Sequence, residues 1–154
     1  SNNSTLKLPD SKIEIEKHSF DSFILDKKHF TDLLILCGFQ QTSRLNLIYR
    51  GTRDGFKAKN FHSKCDKFNK LLVIIKSTNS FVFGGYTDLN WSCTIPEYKH
   101  DPKAFLFTLI NANKKKLKIN YNQDSFALFC NPQYGPVFGQ GKKKTDFNFV
   151  FFLP

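Results

Sequence analysis

Apolar residues recur along this chain with two different periods. Phe30, Leu33, Leu34 and Cys37 stand at i, i+3, i+4 and i+7, one face of an amphipathic helix over about residues 26–37. Phe20, Phe23 and Ile24 extend that face backwards, and Gly38 follows where a left-handed residue would end the helix. Ala58, Phe61, His62 and Cys65 form a second stripe and predict a helix over about 57–65. Lys57, Asn60, Lys64 and Lys67 fall on its wet side. Elsewhere the runs shorten to strand length. Residues 45–50 alternate imperfectly and predict a strand closed by an Asp54-Gly55 turn. Residues 71–75 are a continuous apolar run, the pattern of a strand covered on both faces. Asn79-Ser80 turns the chain into 81–86, so these two runs predict an antiparallel hairpin.

Gly84-Gly85 interrupts the second run, which points to a bulge or to close approach by another backbone or a bulky ring. Trp91, the only tryptophan, is the candidate ring. Further strands are predicted over 104–110, 126–130 and 147–152. They are joined by a loop at 96–102, a basic connection at 111–118 and a Gly/Pro-rich turn region at 131–141. Residues 1–21, polar at first and carrying Pro9, read as a flexible leader to one domain over 22–154. The order α-β-α followed by strands predicts an α+β fold, a two-sheet antiparallel β sandwich flanked by short helices.

The 154 residues suffice for one core that buries roughly 70% of the unfolded surface. Eighteen phenylalanines make that core aromatic. The chain opens on Ser1 and contains no methionine, so it is expected to belong to something longer. No apolar run reaches the ~18 residues of a membrane span, and no signal-peptide hydrophobic region is present. The net charge of +10 comes almost entirely from lysine, with Arg44, Arg50 and Arg53 the only arginines. Base and phosphate recognition leans on arginine's planar fork, so the balance reads as a solvated basic surface. Two lysine clusters, Lys114, Lys115, Lys116 and Lys118 and then Lys142, Lys143 and Lys144, are the exceptions. Meeting in space, they would form a cationic patch for acidic protein or anionic lipid, which leaves peripheral membrane association open.

Cys37, Cys65, Cys93 and Cys130 contain no C-x-x-C pair, and Cys37 and Cys65 lie on apolar stripes, so reduced thiols and an intracellular location are expected. His62, Cys65 and Asp66 are the sharpest catalytic candidates, because an Asp-oriented histidine can activate a thiolate. Against this, all three share one short helix, and burial beside Phe61 would make the thiol inert. A metal site built from His18, His29, His62, His100 and the cysteines lacks familiar ligand spacing. Neither glycine cluster has the strand-loop-helix context of a phosphate cradle. No metal or cofactor is expected. Arg50, Arg53 and Asp54 read as a local ion pair fixing a turn, with a partner surface as the alternative.

Residues 47–87, DPKAFLF at 101–107 and YGPVFGQG at 134–141 resemble, in this order, the TLDc domain. That cytosolic module is associated with oxidation resistance and with regulation of the vacuolar proton pump. The likeness spans about 22–147. Matching positions include Arg50, Arg53, Asp54, Gly55, Phe61, His62, Cys65 and Asp66. Gly84, Gly85, Tyr86, Trp91, Asp101, Pro102, Phe105, Gly135, Pro136 and Gly139 follow. The resemblance implies a two-sheet sandwich with helices, and protein binding rather than catalysis. Family members associate with the cytosolic sector of the vacuolar proton-pumping ATPase, which implies a cytoplasmic location at the face of acidic organelles. No catalytic residue set carries over. Two departures stand out. The Gly139–Phe147 segment is stretched by lysines, and the family typically continues with further strands. An exposed sheet edge is therefore expected. The expected function is a non-enzymatic adaptor. The alternatives are a peroxide-reactive cysteine protein centred on Cys65, and nucleic-acid binding through the lysine loops.

Overall fold

The computed structural model describes residues 24–121 and 126–139, together with the backbone of 149–150. The expected leader at 1–21, Phe20 and Phe23, Lys142–Lys144 and the rest of the stretched segment lie outside these residues.

Helix α1 (Lys27–Cys37) begins where Asp26 accepts the His29 amide at 2.8 Å, satisfying one of the four unpaired amides of a helix start. It ends at Gly38, whose φ of 76° lets the chain turn left-handed while the Phe39 amide closes on the Leu34 carbonyl at 2.9 Å. The predicted stripe Phe30, Leu33, Leu34 and Cys37 is the buried face. It packs on Val82, Phe105, Phe107 and Leu109. Burying each such side chain contributes on the order of 1.5–3 kcal/mol.

The sheet beneath α1 is antiparallel, in the order β1-β2-β4-β5, with β1 Leu71–Lys76, β2 Val82–Thr87, β4 Phe105–Ile110 and β5 Leu117–Asn120. The predicted hairpin is β1 and β2, paired from Leu71 with Thr87 to Lys76 with Val82. The second sheet follows the order β3-β6-β7-β8, with β3 Glu97–Lys99, β6 Leu128–Cys130, β7 Val137–Phe138 and β8 Phe149–Val150. Alternation along β1 explains its continuous apolar run. Leu72 and Ile74 pack toward the α1 core, whereas Leu71 and Val73 belong to a second core between the sheets. Phe61, Cys65, Trp91, Ala127, Leu128, Cys130 and Phe138 fill that second core. The α+β two-sheet sandwich with short flanking helices is the observed architecture.

Several local expectations need correction. Residues 45–50 carry no strand pairing among the described residues. Leu45, Ile48 and Tyr49 instead pack on the cores, and a single helical turn, α2 (Gly51–Asp54), leads into the expected turn, where Gly55 takes a φ of 91°. The expected loops at 96–102, 111–118 and 131–141 contain β3, the start of β5 and β7. Helix α3 (Ala58–Cys65) keeps its predicted stripe, but Asn60 is not on a purely wet face, since its amide donates to the Asp54 carbonyl at 2.7 Å.

The ring against the glycine pair is not Trp91. A Cβ at Gly85 would lie 2.8 Å from the Phe138 ring, and one at Gly84 would lie 1.8 Å from the Val73 carbonyl oxygen. Each glycine thus clears one face of β2, and the β2–β4 irregularity falls at Val82/Phe83 instead. Trp91 sits one layer further in, edge-on to Phe138 at 5.3 Å and to Phe61 at 5.7 Å. It is fully buried, and its indole N–H has no acceptor among the described residues.

Candidate functional site

The candidate chemistry gathers at the corner where α2 meets α3. Asp54 lies at its centre. Its carboxylate accepts the Arg53 guanidinium on two oxygens at 2.9 and 2.8 Å, and the Arg50 amide at 2.9 Å. These hydrogen bonds, Arg53's first, hold the Asp54 carboxyl well below the usual carboxylate range. Arg53 also donates to the Ile48 carbonyl at 3.3 Å, and the Tyr49 hydroxyl donates to the Gly55 carbonyl at 2.7 Å. The Arg–Asp pair predicted to fix this turn does so. It pins the unpaired 45–50 segment to α2 and, through Asn60, to α3.

His62 joins α3 to the second sheet. Its Nδ1 lies 2.8 Å from the Asp66 carboxylate, one helical turn on, and its Nε2 faces the carbonyls of Asn131 and Tyr134 at 3.1 and 2.9 Å. Every atom opposite the ring is an acceptor. The loop reached by Nε2 holds Gly135 and Pro136, which lead into β7. Sequence positions 62 and 134 are thereby stapled. Neither ring nitrogen is bonded to Cys65. That thiol is 4% exposed, packed with Phe61 and Trp91, and pushed up to about 12 first by burial and then by the Asp66 and Asp54 charges. The arrangement can hold a helix against a loop. It offers no thiolate near neutral pH.

A family model for the TLDc domain matches residues 18–153. This chain belongs to the TLDc domain family. None of the curated proteins compared with it matches.

Within this TLDc domain other motif residues tie strand ends to turns. Asp101, 3% exposed, accepts the Thr87 hydroxyl at 2.6 Å and the Asp88 and Lys103 amides at 2.7 and 2.9 Å, tying the end of β2 to the turn at Pro102 before β4. Tyr86 stacks on Phe105 at 5.2 Å and donates to Asp88, which Lys103 holds at 2.6 Å. At Gly139 the amide donates to the Ala127 carbonyl at 2.7 Å, and an added Cβ would come within 2.9 Å of the Tyr121 hydroxyl. Thr87, Asp88, Asn60 and Lys103 escaped sequence reasoning. For Thr87, Asp88 and Lys103 the only available signal was polarity beside a strand end, and Asn60 read only as a wet-side position of its helix.

The lysine clusters divide. Lys116 pairs with Asp32 of α1 at 2.7 Å, and Lys118 donates to the Cys37 carbonyl at 2.9 Å, above the Phe105 ring. Lys114 and Lys115 stay exposed in the turn before β5. Among the described residues no group of three or more His, Cys, Asp and Glu side chains could hold a metal, and no helix is long and apolar enough to cross a membrane.

Proposed function

We propose that this TLDc domain is a non-catalytic protein-interaction module that regulates the vacuolar proton-pumping ATPase, acts in oxidative-stress resistance, or both. In this reading it works in the cytoplasm, at the cytosolic face of acidic organelles. Family membership supports the protein-binding part. The observation that carries the non-catalytic part is the occupancy of His62. Asp66 takes one ring nitrogen and two carbonyls take the other, so the candidate base is a staple. The partner would recognise a surface whose shape is held by the two aromatic cores.

The test is capture of the pump's cytosolic sector from a lysate by the full-length protein. Retention of the sector above a bead control, unchanged within about twofold by Cys65→Ser, supports the proposal. Absence of the sector from the capture overturns the pump assignment. Turnover of peroxide that disappears in Cys65→Ser would overturn the non-catalytic assignment. A second readout addresses the +10 charge: binding to RNA or DNA at low salt, where the electrostatic term is largest, would favour a nucleic-acid partner.

A further inference from the structure

Strand β5 is the outer strand of its sheet and pairs with β4 alone among the described residues. The Tyr121 amide donates to the Ala104 carbonyl at 3.3 Å, which fixes the phase of the ladder. Counting back along the register, Ile119 and Leu117 turn their backbone groups toward β4. Lys118 and Asn120 turn their N–H and C=O groups outward. All four residues of β5 are exposed.

The side chains sort by the same alternation. Lys118 reaches over Phe105 to the end of α1, so Leu117 and Ile119 stand on the opposite face, 48% and 60% exposed. Lysines commonly guard a sheet edge by standing in the way of an incoming strand. Here Lys116 and Lys118 are folded back onto Asp32 and the Cys37 carbonyl, so neither covers the edge. The turn entering β5 is pinned. The Asn111 side chain accepts the Asn113 and Lys115 amides at 3.0 and 3.3 Å and donates to the Lys115 carbonyl. Lys114 and Lys115 project from this turn and make no ion pair among the described residues.

Given a protein-binding domain, as proposed above, we infer that β5 is its docking edge: an extended acidic segment of a partner protein adds to it as a fifth strand. The partner's backbone would pair with the outward groups of Lys118 and Asn120, its alternate apolar side chains would cover Leu117 and Ile119, and its carboxylates would meet Lys114 and Lys115. A rigid edge needs no ordering on contact, which favours binding. Lipid headgroups and nucleic acid present no row of alternating amide donors and acceptors, so charge alone would recruit them, and the strand edge would go unused.

The test uses the full chain and a fluorescein-labelled octapeptide of alternating glutamate and valine, followed by anisotropy and by amide exchange in NMR spectra. Saturable binding is expected, with exchange at Lys118 and Asn120 slowed at least about tenfold. N-methylation of the peptide amides that face β5 removes pairing but keeps charge, and should weaken binding about tenfold or more. Lys114→Glu with Lys115→Glu should weaken it by a similar factor and flatten its salt dependence. Equal binding of the N-methylated peptide overturns the inference. So does protection confined to other strands, or binding to phosphatidylserine vesicles in place of the peptide. Pump capture run in parallel separates the two proposals. Capture without octapeptide binding removes the docking edge and leaves the pump assignment. Octapeptide binding without capture supports the edge and removes the pump.

Discussion

At the corner of α2 and α3 the charged and polar side chains bond to other parts of the chain, whereas along β5 alternate backbone groups have no ladder partner among the described residues. Asp54, Arg53, Asn60 and His62 join segments up to 72 residues apart in sequence. At β5, Lys118 and the preceding Lys116 are drawn onto α1 and leave the edge uncovered by lysine. The difference teaches where to look for function in this domain. Many residues that match the family pattern tie segments of the fold together, and the edge proposed above for a partner falls between those motifs, on β5.

Substitutions should separate the two regions by size of effect. Trp91→Ala empties the centre of the inter-sheet core and should cost about 3–5 kcal/mol in urea unfolding. Trp91→Phe, which also removes an indole N–H that has no acceptor among the described residues, should cost clearly less. A loss of under about 1 kcal/mol for the alanine variant would mean that this core is not what holds the sheets together. Asp101→Ala leaves a buried hydroxyl and two amides without their acceptor and should cost about 2–3 kcal/mol. His62→Ala removes the α3 staple and should cost about 1–2 kcal/mol, with faster amide exchange in the 131–134 loop. Ile119→Thr on the open edge should change stability by less than about 0.5 kcal/mol. A larger loss there would place β5 in the interior and dissolve the contrast.

Alkaline titration sharpens the same comparison. Burial pushes the thiols of Cys37 and Cys65 up to about 12 and that of Cys130 to about 11, from an ordinary value of 9.0. A raised folded-state value means that the fold prefers the neutral thiol. The associated stability is therefore complete below about pH 9 and is lost as pH climbs through 11 to 12. Urea midpoints should fall over that window. Serine replacements at the buried positions should flatten the fall.

Much of the first layer was readable in the residues. The helical stripe of α1, its glycine stop and the β1–β2 hairpin all follow from local periodicity and turn chemistry. The strands that escaped are short and atypical. β5 opens within a lysine run, and β7 has two residues inside a Gly/Pro-rich segment, so pairing with a neighbour decides them and no internal pattern announces them. Residues 45–50 fail in the opposite sense, rich in apolar side chains but without a ladder partner among the described residues. Phe138, and not Trp91, fills the space beside Gly85 because tertiary register set that contact. The groups that complete the corner, Asn131 and Tyr134, act through backbone carbonyls, which no side-chain motif could reveal.

The claim that the motif residues act through architecture is tested most directly by mass spectrometry of the native protein after brief iodoacetamide treatment near pH 8. Half-buried Cys93 should be labelled first, and Cys65 should stay unmodified until the protein is unfolded. Labelling of Cys65 in the folded protein as fast as Cys93, abolished by His62→Ala, would contradict the account and reveal an activated thiol.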